Sequence, residues 1–219
     1  MIRGVCFDMD GVLVDTERLG SLVLAEAGAR QGCAMTQAQC EALLGVTMKT
    51  TRAALEAWFP GIDADRFLKD WYELMLARVR RDGLPLKPHA DETLRRLRQQ
   101  GLKLALCTSN ARKVVEEYLA LAGWEDAFDQ VVTGDMVQNG KPAPDIYLLG
   151  AKTIGVPPES CLALEDSYTG LLSAHRAGCL AAIVPDLDQP GENILSIAYA
   201  KLDSLTDVID LMEESGRHG

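Results

Sequence analysis

Two aspartates one residue apart, Asp8 and Asp10, stand at the end of the apolar run Val5-Cys6-Phe7 and are followed by Gly11. The run reads as a short buried strand. Carboxylates at its end add nothing to a hydrophobic core, and they are costly to bury unless paired, hydrogen-bonded or bound to a metal. Later segments repeat the arrangement. Thr108, Ser109 and Asn110 follow Leu104–Cys107, Glu165 and Asp166 follow Leu162–Leu164, and Lys141 lies in the turn-like Asn139-Gly140-Lys141-Pro142 before a helical pattern. Each piece has an ordinary reading by itself. Thr108-Ser109-Asn110 and Glu165-Asp166-Ser167 could cap helices, and Lys141 could sit on a solvated turn. Brought together, these groups offer a carboxylate site for a hard cation. They also offer a phosphate cradle of hydroxyls and N–H groups at a helix start, with a lysine to offset the charge.

The elements needed to gather them are legible downstream of residue 86. Ala90, Leu94 and Leu97 mark a helix, Leu102–Cys107 a strand, and Val114, Val115, Tyr118, Leu119 and Ala122 a second helix. A short strand near Val131-Val132, a helix over Ile146–Ile154, a strand over Cys161–Leu164, a helix over Gly170–Ala177 and a strand over Leu180–Val184 continue the alternation. This β-α-β-α succession predicts an α/β fold, a doubly wound parallel sheet joined by the first strand at residues 2–7. In such sheets ligands bind beyond the carboxyl ends of the strands, where every residue named above would lie. Residues 17–83 break the pattern. Helical stretches run from Leu19 and over Gln37–Leu44, Thr50–Trp58 and Asp63–Arg81, so the expectation is a helical domain over 17–83 inserted into a core of 1–16 and 84–219. The final residues, Ser215–Gly219, are expected to form a loose tail.

Composition narrows the function classes. The 219 residues carry a net charge of −10, with 47% hydrophobic and 25% charged side chains. That balance argues against nonspecific binding to nucleic acid or anionic membranes. No basic N-terminal segment precedes a long apolar stretch, and the expected compartment is the cytoplasm. The cysteines at 6, 33, 40, 107, 161 and 179 form no C-x-x-C pair and read as small buried hydrophobes in a reducing compartment. The three histidines have no evident ligand partners, so a Ser-His-Asp site or a histidine-rich metal site is not expected.

Asp8-Met9-Asp10-Gly11-Val12, Thr108, Lys141 and Glu165-Asp166, in that order, resemble the four motifs of the haloacid dehalogenase-like superfamily. The branch resembled is the one with a helical cap inserted after the first motif, and the resemblance spans essentially the whole chain. It implies a Rossmann-like catalytic core and a phosphatase acting on a sugar phosphate or nucleoside monophosphate. Asp8 would be the nucleophile and Asp10 the acid and base. Thr108 and Lys141 would bind the phosphoryl group with Ser109 and Asn110, and Mg²⁺ would be held by Asp8, Asp166, Glu165 and the backbone carbonyl of Asp10. The chain between Gly11 and Glu17 would be the hinge of a mobile cap. Cap residues Glu17, Thr47 and Lys49, with Arg18 and Arg52, are candidates for substrate contact, and a monomer is expected. The same machinery serves β-phosphoglucomutase, a mutase whose cap carries a histidine and an arginine where this chain has Gly20 and Met48. A basic residue follows at Lys49, where the arginine's role could have shifted by one position, yet the departures favour the phosphatase. Dehalogenases and phosphonatases fit less well because Asp10 is present, and a non-catalytic binding protein ranks low because all four motifs are intact.

Overall fold

The computed structural model describes residues 1–43, 48–186 and 190–217. Its contacts divide the chain into two compact units, Met1–Val14 with Leu86–Gly219, and Asp15–Pro85.

The first unit opens with β1 (Gly4–Phe7), whose four residues are all buried. The second unit then runs through α1 (Thr16–Ala29), α2 (Gln37–Glu41), α3 (Met48–Trp58) and α4 (Ala64–Asp82). Its apolar centre is built from Val23, Leu24, Ala27, Leu43, Leu55, Phe67 and Leu74. Local signals fix its helix starts. Thr36 and Gln39 form a reciprocal capping box at α2, and the Asp63 carboxylate accepts from the Arg66 N–H at 3.0 Å to cap α4. The Trp71 indole N–H donates to the Gly20 carbonyl at 2.8 Å, and the ring lies against the glycine. The two ends of this unit meet: the Asp15 N–H donates to the Pro85 carbonyl at 2.8 Å.

The chain re-enters the first unit beside the point where it left. Val14 and Leu86 form an antiparallel bridge, and the Lys87 N–H donates to the Leu13 carbonyl at 2.9 Å. There follow α5 (Ala90–Gln99), β2 (Lys103–Cys107), α6 (Arg112–Ala122), β3 (Gln130–Val132), α7 (Asp145–Thr153), β4 (Cys161–Glu165), α8 (Tyr168–Arg176), β5 (Leu180–Ile183), α9 (Glu192–Leu195), β6 (Ala200–Lys201) and α10 (Asp207–Arg217). All strand pairs are parallel, in the order β3-β2-β1-β4-β5-β6. A strand buried on both faces needs apolar residues along its length, which is why Val5–Phe7, Leu104–Cys107 and Cys161–Leu164 read as apolar runs. Cys6, Ala105, Cys107, Cys161 and Ala163 face α7 and α8 in one cluster with Ile146, Tyr147, Leu171 and Ala174. On α5, Ala90, Thr93, Leu94 and Leu97 make the buried stripe.

The expected loose tail is corrected in part: α10 continues through Arg217. Val208, Ile209 and Met212 are buried along it, and the Asp207 carboxylate accepts from the N–H groups of Asp203 (2.8 Å) and Ser204 (3.1 Å) at its start. That apolar stripe supplies the packing an isolated helix end lacks. Among the described residues, no helix is long and apolar enough to cross a membrane. All six cysteines are free thiols.

Candidate active site

Sheet order assembles the site. β1 lies between β2 and β4, with Phe7 in register with Leu106 on one side and Leu164 on the other. The Asp8 N–H continues the ladder by donating to the Leu164 carbonyl at 3.0 Å, which brings Asp8 level with Glu165, the last residue of β4. Beyond Asp8 the backbone folds back tightly. The N–H groups of Leu13 and Val14 both donate to the Met9 carbonyl, at 2.9 and 3.0 Å. Gly11 has φ +75°, and a Cβ there would fall 1.9 Å from Oδ2 of Asp166, so only a bare backbone can lie this close to that carboxylate.

Lys141 reaches the same point from the loop before α7. The loop is strapped down on both sides. Asn139 Nδ2 donates to Asp145 Oδ1 at 3.0 Å, and an Arg176 guanidinium N–H from α8 donates to the Pro142 carbonyl at 3.0 Å. Lys141 Nζ lies 2.6 Å from Asp8 Oδ1 and 2.7 Å from Glu165 Oε1, with its side chain 9% exposed. The solvated-turn reading of Lys141 is thereby excluded. Burial alone would lower the lysine's pKa, but the Asp8 and Glu165 carboxylates more than offset it and hold the ammonium above its ordinary value. Burial pushes Glu165 up to about 7, against the lowering effect of Lys141 and with Asp8 adding to the rise.

The capping alternatives divide: the one for Thr108-Ser109-Asn110 fails, and the one for Glu165-Asp166-Ser167 holds at Ser167. The N-cap of α6 is Ala111, and the Arg112 N–H at its start is met by the Asp135 carboxylate at 3.3 Å, leaving residues 108–110 outside the helix. At α8 the cap is Ser167, whose Oγ accepts from the Gly170 N–H at 3.1 Å. Thr108 is fully buried and its Oγ1 accepts from the Asn110 N–H at 3.2 Å, whereas Ser109 is exposed. Asn110 Nδ2 donates to Asp10 Oδ2 at 2.7 Å. The amide expected to touch phosphate is therefore engaged with the second aspartate.

One carboxylate oxygen each from Asp8, Glu165 and Asp166 lies within 4.8 Å of the others. Three hard oxygen donors at that spacing suit a hard divalent cation. The Asp10 carboxylate stands outside this group. In the second unit, Arg18 pairs with Asp15 at 3.3 Å and Arg52 pairs with Asp65. Thr47 lies outside the described residues, and so do the side chains of Glu17 and Lys49.

Two contributors were not read from the sequence. Tyr147, fully buried on α7, donates its hydroxyl to Glu165 Oε1, and its ring centroid lies 5.3 Å from Lys141 Nζ. Gly170 lets α8 press on the same glutamate, where a Cβ would meet Oε2 at 1.9 Å. The available signal was slight: a tyrosine on a buried helical stripe needs an acceptor for its hydroxyl.

A family model described as "Haloacid dehalogenase-like hydrolase" matches residues 5–184. The chain belongs to this family. Among curated relatives of the hydrolase, "Phosphorylated carbohydrates phosphatase" of Thermotoga maritima is 32% identical over 216 residues, 97% of this chain and 99% of that protein. Among solved structures, a Thermotoga maritima protein provisionally named a β-phosphoglucomutase is 31% identical, with TM-score 0.82 over 97% of this chain and 99% of the other. The protein CbbY from Rhodobacter sphaeroides, solved in complex with phosphate, is 27% identical with TM-score 0.76, covering 95% and 96%. This hydrolase thus shares its fold with chains of nearly the same extent.

Proposed function

We propose that this chain is a Mg²⁺-dependent phosphatase hydrolysing a small phosphorylated metabolite, a sugar phosphate or nucleoside monophosphate, through an aspartyl-phosphate intermediate. The observation that carries the reading is the junction of Asp8, Lys141 and Glu165 at the strand ends, with Asp10 two residues beyond the nucleophile. The relatives named for phosphatases, and the one solved with phosphate, support the same chemistry.

The phosphate monoester is a poor electrophile because its own oxygens repel an incoming anion. Asp8, Asp166 and Glu165 would hold the Mg²⁺, with the Asp10 carbonyl completing the set. Held there, the cation would neutralise phosphate charge and orient the ester. In the first step an Asp8 oxygen attacks phosphorus in line, and the bond to the leaving oxygen breaks as that oxygen takes a proton from Asp10. Asn110 keeps the Asp10 carboxylate from swinging away during this transfer. In the second step water attacks the phosphorus, Asp10 recovers its proton from that water, and Asp8 is released with inorganic phosphate. Lys141 and the Thr108 hydroxyl bind the transferring oxygens, and Lys141 also lowers the cost of crowding carboxylates. A phosphosugar mutase would share the first step. Gly20 and Met48 stand where that enzyme has its histidine and arginine, which weighs against it.

The test is phosphate release with Mg²⁺ from a panel of sugar phosphates and nucleoside monophosphates, beside Asp8→Asn. A neutral amide is no nucleophile, so release should fall by on the order of 10⁴ or more. Turnover surviving in Asp8→Asn would overturn the mechanism. Formation of glucose 6-phosphate from β-glucose 1-phosphate without matching phosphate release would replace phosphatase by mutase.

A further inference from the structure

Lysine carries its charge on a flexible four-carbon stem, so an ammonium aimed at one point needs walls. Here two walls are the carboxylates of Asp8 and Glu165, at 2.6 and 2.7 Å. The third is the ring of Tyr147, whose centroid lies 5.3 Å from Nζ. The tyrosine also holds one of the carboxylates. Its hydroxyl donates to Glu165 Oε1, the same oxygen that faces Lys141. The other glutamate oxygen, Oε2, has Ser167 Oγ at 3.4 Å and the backbone of Gly170 against it.

Packing alone does not require this residue. A phenylalanine would fill the same space among Cys107, Ile146 and Ala163, and a buried hydroxyl is an expense unless it is bonded. The hydroxyl meets an acceptor that is itself a charged partner of Lys141. An ammonium has three N–H bonds. With one directed at Asp8 and one at Glu165, the direction of the third follows from where Glu165 is held. Freed from Tyr147, the glutamate could rotate, and Lys141 would follow it.

We propose that Tyr147 is a positioning residue of the phosphoryl site, acting through Glu165 to aim Lys141 at a phosphate oxygen. The inference rests on the phosphoryl site of the proposed function, and its test reads binding as well as turnover.

The probe is inorganic phosphate, titrated calorimetrically in the presence of Mg²⁺ into the full chain and into Tyr147→Phe, Lys141→Gln and the double variant. Tyr147→Phe keeps the ring and removes the hydroxyl. Its dissociation constant should rise about tenfold, the scale of one hydrogen bond to a charged group. Because the tyrosine acts through the lysine, the double variant should bind within about twofold of Lys141→Gln alone. A merely structural role predicts otherwise: the same factor in both backgrounds, or a lowered thermal midpoint with phosphate affinity unchanged. Either result overturns the proposal. Should Lys141→Gln fail to fold with two carboxylates left facing each other, the cycle runs through Glu165→Gln, which keeps the shape, with the same expected non-additivity. A parent that binds phosphate but hydrolyses nothing defeats the phosphatase reading and leaves this cycle decisive. A parent that binds no phosphate overturns both.

Discussion

Replacing Gly170 by alanine sets two physical effects against each other. Within a helix the substitution ordinarily stabilises by about 1 kcal/mol. At this position the added Cβ would lie 1.9 Å from Oε2 of Glu165, 2.0 Å from its Cδ and 2.1 Å from Oε1. The glutamate side chain is 1% exposed and Oε1 is held by both Lys141 and Tyr147, so it cannot yield without losing partners. Giving up those two charge-assisted bonds costs roughly 1.5–3 kcal/mol if their loss is partial, and up to about 5 kcal/mol if complete. Set against the helical gain, the net destabilisation is about 1–4 kcal/mol. At roughly 2–4 °C per kcal/mol for a chain of this size, the thermal midpoint should fall by about 5–10 °C in the middle of that range. Phosphate turnover should fall with it, because Lys141 loses its fixed partner. The assay is a melt followed by circular dichroism, parent beside variant in the same phosphate-free buffer. A midpoint equal to or above that of the parent would refute the reasoning, since Glu165 would then have to be free to move aside.

Other consequences follow from the same contacts. Burial raises the Glu165 pKa from its ordinary 4.5 to about 7, so between those values the folded chain holds a proton that the unfolded chain has released. That part of the stability is full below pH 4.5 and declines as pH rises to 7. In metal-free buffer, Glu165→Gln should flatten this decline, and identical pH slopes for parent and variant would contradict it. Cys6, Cys107, Cys161 and Cys179 are buried, and burial pushes the Cys179 thiol up to about 12. An aryl disulfide reagent should therefore titrate at most Cys33 and Cys40 in the native protein and all six thiols after denaturation. Rapid reaction of more than two native thiols would contradict the packing of the sheet.

What could be read in the sequence follows from how locally each feature is encoded. β1, β2, β4 and β5 were visible because burial on both faces demands apolar runs, and Asp8, Thr108 and Asp166 were visible because they interrupt those runs at the ends. β6, at two residues, is too short to leave a periodic signal. The bond from Asn110 to Asp10 joins residues 100 apart and exists because β2 lies beside β1, so Thr108-Ser109-Asn110 read alone looked like a phosphate cradle or a cap. Tyr147 was hidden more completely. On α7 it continues an apolar stripe with Ile146 and Ala151, and nothing in that stripe says that its hydroxyl meets a charge 18 residues away.

The meeting of Asp15 with Pro85 makes the helical segment a removable cassette. Its first and last residues are joined by a hydrogen bond of 2.8 Å, so the point where the segment leaves the chain lies beside the point where it returns. The closure entropy of a flexible connection grows by only about 0.6 kcal/mol for each doubling of its length. The register of β1 against β2 and β4 is set by the strands themselves. Exchange of that one contiguous stretch of the gene should therefore leave the residues gathered at the strand ends in place, and loss of the folded core in such an exchange would contradict it.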